Sequence, residues 1–195
     1  MADQLSGRRV AALVAKGFEQ VELTEPKKAL EAAGARVDIV SPEKDRVRAW
    51  KHTEWGEEVK VDRPLEQARP DEYDALLLPG GVMNPDHLRT NAKAVQFVKK
   101  FFDHGKPIAV ICHGPWTLVE AGVVRGVKMT SYSSIKTDLK NAGANWVDEE
   151  VVVDRGIVSS RKPDDIPAFN RKMIEEFAEG KHGGAGRREL AETRA

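Results

Sequence analysis

The segment AVICHGPWTLVEAG, residues 109–122, holds the chain's single cysteine, Cys112, with His113 directly after it. A thiolate beside an imidazole is a nucleophile beside a base, the pairing that covalent catalysis at a carbonyl requires. Its setting matters as much as its type. The apolar run from Ile108 leads in, and a helical pattern follows, with Pro115 suited to a first helical turn where a missing N–H costs nothing. A strand ending at Cys112 with a helix two or three residues later makes a strand–turn–helix elbow. That geometry exposes the nucleophile in α/β-hydrolases, although G-x-S-x-G itself is absent here. Gly114 lets the backbone turn sharply and come close to a ligand. A thiol at a helix N-terminus meets free backbone N–H groups, which favour thiolate and can also hold an oxyanion. A lone cysteine is more often a small buried hydrophobe, but the elbow and the His-Gly-Pro that follows favour the reactive reading.

Such an elbow needs a sheet to carry it. Short apolar runs alternate with amphipathic stretches: strands at 8–15, 36–42, 73–81, 108–112 and 127–132, and helices at 22–35, 85–105, 114–122, 134–143 and 164–180. In the 85–105 helix, Leu88, Ala92, Val95, Val98 and Phe102 share one predicted face. Residues 46–62 read as a small antiparallel excursion and 146–160 as a hairpin turning at Asp154-Arg155-Gly156. Strands that are apolar throughout, alternating with helices, imply an α/β fold with a mostly parallel sheet covered on both faces. Sites in such folds form at the C-terminal ends of strands, where Cys112 lies.

The motifs LPGG (78–81), AVICHGP (109–115), TSY (130–132), NAGANWVDEEVVVD (141–154) and SSRKPDDIPAFNR (159–171) together closely resemble the PfpI-type intracellular protease family. That family lies within the superfamily containing the parkinsonism-associated protein deglycase. The resemblance runs from about residue 8 to residue 179. It implies a flavodoxin-like sandwich, a homodimer or higher homo-oligomer, and a cysteine-centred site. The family nucleophile falls on Cys112 and its adjacent histidine on His113. FEQVEL (18–23) resembles the family's first-loop motif and implies that Glu19 hydrogen-bonds the sulfur. Asp86, in VMNPDHLR (82–89), matches an acid that reaches the neighbouring subunit's histidine. Gly81 and the backbone of His113 match the oxyanion donors, and Tyr132 a tyrosine near the pocket. Trp116 stands where many relatives carry glutamine, so it is expected to shape the pocket. A carboxylate beside a thiolate is a like-charge pair, so Glu19 is expected to hold a proton and titrate together with the sulfur. His113 is not expected to fold back onto Cys112, its own neighbour, so an outside acid such as Asp86 is expected to orient it.

The bulk numbers narrow the alternatives. Lys+Arg and Asp+Glu both count 31 among 195 residues, so charge does not point to nucleic acid as a partner. No apolar run reaches membrane-spanning length, and Val10–Ala15 is too short for a signal-peptide core. With one cysteine and no internal disulfide, a reducing cytoplasm is expected. One domain over residues 1–180 is expected, with a mobile tail over 181–195. No cofactor is implied. No H-E-x-x-H or second cysteine supports a metal site, and Gly80-Gly81 lacks a phosphate-loop pattern. Asp164-Asp165 follows Pro163 and is read as helix capping. Trp50 and Trp55 could line the pocket mouth or merely pack it.

The function expected is a cysteine hydrolase in stress protection, acting on a peptide or on a small carbonyl such as methylglyoxal or its glycation adducts. The alternative is a stress-response redox sensor whose Cys112 oxidises to sulfenic or sulfinic acid without turnover.

Overall fold

The computed structural model describes residues 3–182, so most of the tail expected over 181–195 lies outside the described residues. Eleven strands and six α-helices follow one another within that span. The order is β1 (Arg9–Leu13), α1 (Gln20–Ala32), β2 (Arg36–Ser41), β3 (Arg46–Lys51), β4 (Glu54–Lys60), β5 (Arg63–Pro64) and β6 (Ala75–Leu78). Next come α2 (Met83–Arg89), α3 (Ala92–Asp103), β7 (Ile108–Ile111), α4 (Pro115–Glu120), β8 (Lys128–Met129) and α5 (Lys136–Asn141). The chain continues through β9 (Asn145–Trp146), β10 (Val151–Asp154), β11 (Ile157–Ser160) and α6 (Ile166–Glu179).

Seven strands form one sheet in the order β10-β11-β7-β6-β1-β2-β5. Every pairing is parallel except β10 with β11, the expected hairpin. Successive residues of a strand point to opposite faces, and β1 shows the consequence. Val10 and Ala12 join Leu23, Leu30, Phe169 and Phe177 on the side of α1 and α6. Ala11 and Leu13 join Leu88, Phe101, Leu118 and Leu139 on the side of α2 to α5. Both faces are covered, so the central strands β6 and β7 are buried along their whole length. The fold is the flavodoxin-like sandwich expected.

Two elements depart from the sequence reading. The helix expected over 85–105 is two helices, α2 and α3, broken at Thr90-Asn91. Asn91 stops the first and caps the second, its side chain accepting from Lys93 N and Ala94 N. The break re-phases the chain, so the buried face of α3 carries Ala94, Phe97, Val98, Phe101 and Phe102 rather than Ala92 and Val95. The strand expected over 127–132 is only Lys128–Met129, paired in parallel with β9. The excursion at 46–62 is a true antiparallel hairpin, β3 with β4, and Trp50 faces Trp55 across it.

Candidate active site

β7 ends beneath the site. At its C-terminal end Cys112 adopts φ of +64°, a conformation a residue with Cβ rarely takes. The elbow therefore strains the cysteine itself. Gly114 has a different task from the one expected, since a Cβ there would meet Val110 Cγ2 at 2.8 Å and two strand carbonyls, Ile111 O and Leu78 O, at 2.9 Å. It lets the turn pack onto the sheet rather than onto a ligand. Cys112 N donates to Ser160 O at 3.1 Å and Tyr132 N to Cys112 O at 2.9 Å, so the neighbouring chain segments hold the strained residue on both sides.

The carboxyl at the sulfur belongs to Glu22, not to Glu19 as expected. Glu22 is fully buried in the first turn of α1, and its carboxyl stands beside the Cys112 thiol, each affecting the other's titration. Its Oε2 also accepts from Gly80 N at 2.8 Å. The physical reason is helical phase. α1 starts at Gln20, so Glu19 is the extended N-cap residue, while Glu22 points inward on the first turn. Burial pushes the Glu22 carboxyl up to about 8, so it holds its proton at neutral pH.

Burial also pushes the Cys112 thiol up, and a charged Glu22 would push it further. The backbone N–H groups of Gly81 and His113 act the other way. A thiol depressed by its surroundings, as the sequence implied, is thus opposed by its own burial at 7 % exposure. The two acids share one site. With Glu22 neutral, the like-charge contribution vanishes and the carboxyl can donate to sulfur.

His113 does fold back. Its Nδ1 lies 3.1 Å from Cys112 Sγ, which the positive φ of Cys112 makes possible. Its Nε2 lies 3.0 Å from Ser134 Oγ, and its ring stacks on Tyr132 at 4.8 Å. Burial pushes the imidazole pKa down, so it is neutral. A neutral ring with Nδ1 as acceptor toward sulfur needs Nε2–H, and Ser134 Oγ is placed to accept it. Ser134 was not singled out from the sequence. Asp86 sits exposed in the first turn of α2. Within the chain, His113 is oriented by Ser134 rather than by Asp86.

The Pro79-Gly80-Gly81 loop packs too closely for side chains. A Cβ on Gly80 would meet Cys112 Cβ and Glu22 Oε2, both at 2.6 Å, and one on Gly81 would meet Gly17 O at 2.6 Å. Gly81 also has φ of +77°. Asn84, fully buried, clamps this loop: Nδ2 donates to Pro79 O and Gly80 O, and Oδ1 accepts from Ala15 N at 2.7 Å. Nothing in its sequence context singled it out.

A cavity of about 610 Å³ opens over the sulfur, lined by Glu19, Glu22, Trp50, His52, Gly81, Val82, Met83, Cys112, His113, Tyr132 and Pro163. Tyr132 is a lining residue as expected, and Trp50 is one as well. Trp116 is not. It packs edge-on against His113 at 5.5 Å, and its Nε1 donates to Asp138 Oδ2 at 2.8 Å. Its large ring is accommodated behind the histidine. Asp165 does not cap α6 with its side chain but binds Arg161 Nε at 2.8 Å.

A parallel α/β sandwich with a strained cysteine over the middle of its sheet, faced by a buried acid and a neutral histidine, defines a recognisable class. The DJ-1/PfpI family pattern matches residues 8–176, and the chain belongs to that family. It is 47 % identical to the protein named deglycase PfpI of Pyrococcus furiosus, over 85 % of this chain and 97 % of that one. It is 43 % identical to the putative cysteine protease YraA of Bacillus subtilis, over 86 % and 96 % of the two chains. The crystal structure of Drosophila melanogaster DJ-1beta superposes with a TM-score of 0.80 at 26 % identity, covering 99 % of this chain and 97 % of that one. Among the described residues, no helix is long and apolar enough to cross a membrane.

Proposed function

We propose that the protein is a cysteine-dependent hydrolase acting on an electrophilic carbonyl, of the deglycase or glyoxalase kind rather than an endopeptidase. The observation that carries this is the convergence of Cys112 Sγ, the Glu22 carboxyl and His113 Nδ1 on one cavity wall. Cys112 attacks the carbonyl carbon as its proton passes to His113 Nδ1. The oxygen of the tetrahedral adduct takes the developing charge, held by the N–H groups of Gly81 and His113. Glu22, still protonated, stabilises sulfur whenever it is anionic. On methylglyoxal the proton on His113 passes to the adduct oxygen, and the hydrogen on the sulfur-bearing carbon shifts to the neighbouring carbonyl carbon. Water then hydrolyses the resulting hydroxyacyl thioester to the hydroxy acid and the free thiol. On an amine adduct the proton on His113 first departs with the amine that sulfur displaces. A cavity of about 610 Å³ suits a small carbonyl compound or a modified side chain. The name deglycase PfpI supports the same choice, whereas YraA carries the name of a putative cysteine protease.

The test is turnover of methylglyoxal and of its adduct with an amino acid amine. Cys112→Ser is expected to lower turnover by at least about a hundred-fold. Rapid oxidation of Cys112 by peroxide, with no turnover in the reduced wild type, would replace the hydrolase with a redox sensor.

We further propose that a second copy of the chain brings Asp86 toward the Ser134–His113 side of the site. Its exposed place on α2, with the free side of its own histidine ring bonded to Ser134 instead, supports this. Sedimentation should give a dimer or larger assembly, and Asp86→Ala should lower turnover several-fold; a monomer at full activity would remove Asp86 from the site.

A further inference from the structure

Glu19, released from the sulfur by the phase of α1, lines the same cavity a short way along its wall. Its charge is felt by Glu22, which places it near the reacting centre without touching it. Its two carboxylate oxygens accept only long bonds, 3.4 Å each, from His52 N. Its partial burial raises its affinity for a proton.

The indole of Trp50 lines the cavity beside it, and a backbone bridge pairs the two residues. That ring is fixed. Its Nε1 donates to His52 O at 2.8 Å, and Trp55 meets it edge-on at 5.3 Å. Two nearby cations are held elsewhere: Lys16 Nζ, from the loop after β1, and the Arg48 guanidinium of β3 both lie over Trp55, 5.0 and 5.5 Å from its centroid. Among the described residues no Lys or Arg lines the cavity, while two glutamates do. With Glu22 neutral, the cavity presents one carboxylate, and the Trp50 indole stands beside it.

We infer that Glu19 and Trp50 form a subsite for a positively charged nitrogen, so that the site selects carbonyl substrates bearing an ammonium group over neutral ones. Carboxylate and indole are the two groups that attract an alkylammonium most strongly. This rests on the proposed role of Cys112, and it narrows the substrate to carbonyl compounds that keep a free ammonium, such as an adduct on the side-chain amine of an amino acid whose α-ammonium is unmodified, ahead of free dicarbonyls.

Two measurements test it, and neither requires turnover. In the first, wild type and Glu19→Gln are titrated with propylammonium and with 1-propanol, followed through the Trp50 indole N–H resonance. Saturable binding of propylammonium, weakened about five-fold or more in Glu19→Gln, is expected, with 1-propanol insensitive to the change. In the second, Cys112 is alkylated by N-(2-aminoethyl)chloroacetamide and by neutral N-propylchloroacetamide. The cationic-to-neutral rate ratio should exceed that of the unfolded chain and fall toward it in Glu19→Gln, with a smaller fall in Trp50→Leu. A ratio equal in wild type and Glu19→Gln would overturn the subsite while leaving the nucleophile in place. Propylammonium binding that depends on Glu19, with Cys112 inert to both reagents, would leave the subsite standing and remove the hydrolase.

Discussion

Glu22 carries an ionisation cost that can be read without any substrate. In the unfolded chain its carboxyl loses its proton near the ordinary 4.5, whereas in the fold it keeps it to about 8. Between those values the folded state binds more protons than the unfolded one, so stability falls as pH rises through that window. Below it the penalty is absent, and above it the penalty is constant. Glu22→Gln removes the slope. Urea unfolding at pH 5, 6.5 and 8 should show the variant gaining on wild type with each step, by on the order of 4 kcal/mol across the window. Equal slopes for the two proteins would mean that Glu22 is charged in the fold. The same position shows what a sequence can reveal. The resemblance of FEQVEL to the family's first-loop motif implied that an acid would face the thiol and set that role on Glu19, but choosing between Glu19 and Glu22 required the first residue of α1 to within one position. With the helix read from Glu22 rather than from Gln20, the sequence offered no phase that would move the role from Glu19 to Glu22. Cys112 and His113 needed no such phase, since they are adjacent and tied to the end of an apolar strand. Ser134 was invisible for the opposite reason: it lies 21 residues from His113 and touches it only through the fold. Ser134→Ala should leave stability near wild type and slow Cys112 alkylation several-fold between pH 6 and 8, because the Nε2–H tautomer loses its acceptor.

At the scale of elements, the site is the meeting of three strand ends: β1 leads to Phe18 and Glu19, β6 to the double glycine, and β7 to Cys112. Alternating apolar strands and helices made this arrangement legible, because strand ends in a parallel sheet fall on one edge. What holds the three ends in register was not legible. Asn84 reaches from α2 to the segment after β1 and to the carbonyls after β6, contacts 69 and 5 or 4 residues away in sequence. Asn84→Ala leaves one buried N–H and two buried carbonyls without this partner. It should cost about 2–4 kcal/mol in thermal or urea unfolding. Cys112 alkylation should also slow, since Gly80 and Gly81 contact Glu22 and the sulfur. A variant less stable but alkylated at the wild-type rate would show that the loop keeps its position without the clamp.

Across the whole molecule, the reacting group and the wall that faces it belong to elements of unequal stability. Cys112 directly follows β7, which lies inside the seven-stranded sheet with β6 and β11 as neighbours and is buried throughout. Trp50 and His52 lie on the β3–β4 hairpin, which forms a sheet of its own and leaves much of β4 exposed. The hairpin is tied back to the site by Gly17 N donating to Arg48 O, Trp50 N to Phe18 O and Glu57 N to Gln20 Oε1. Elements with few buried apolar contacts open at low free energy, while central strands open only with global unfolding. Amide exchange should therefore rank β4 fastest, then β3, with β6 and β7 slowest by several orders of magnitude. Such an order lets the cavity wall move to admit a substrate without disturbing the strained cysteine. An ammonium ligand bridging Glu19 and Trp50 would couple the two parts, so propylammonium should slow exchange across β3 while leaving β7 unchanged. Uniform slowing over both sheets would instead mean that the hairpin and the central sheet open as one unit.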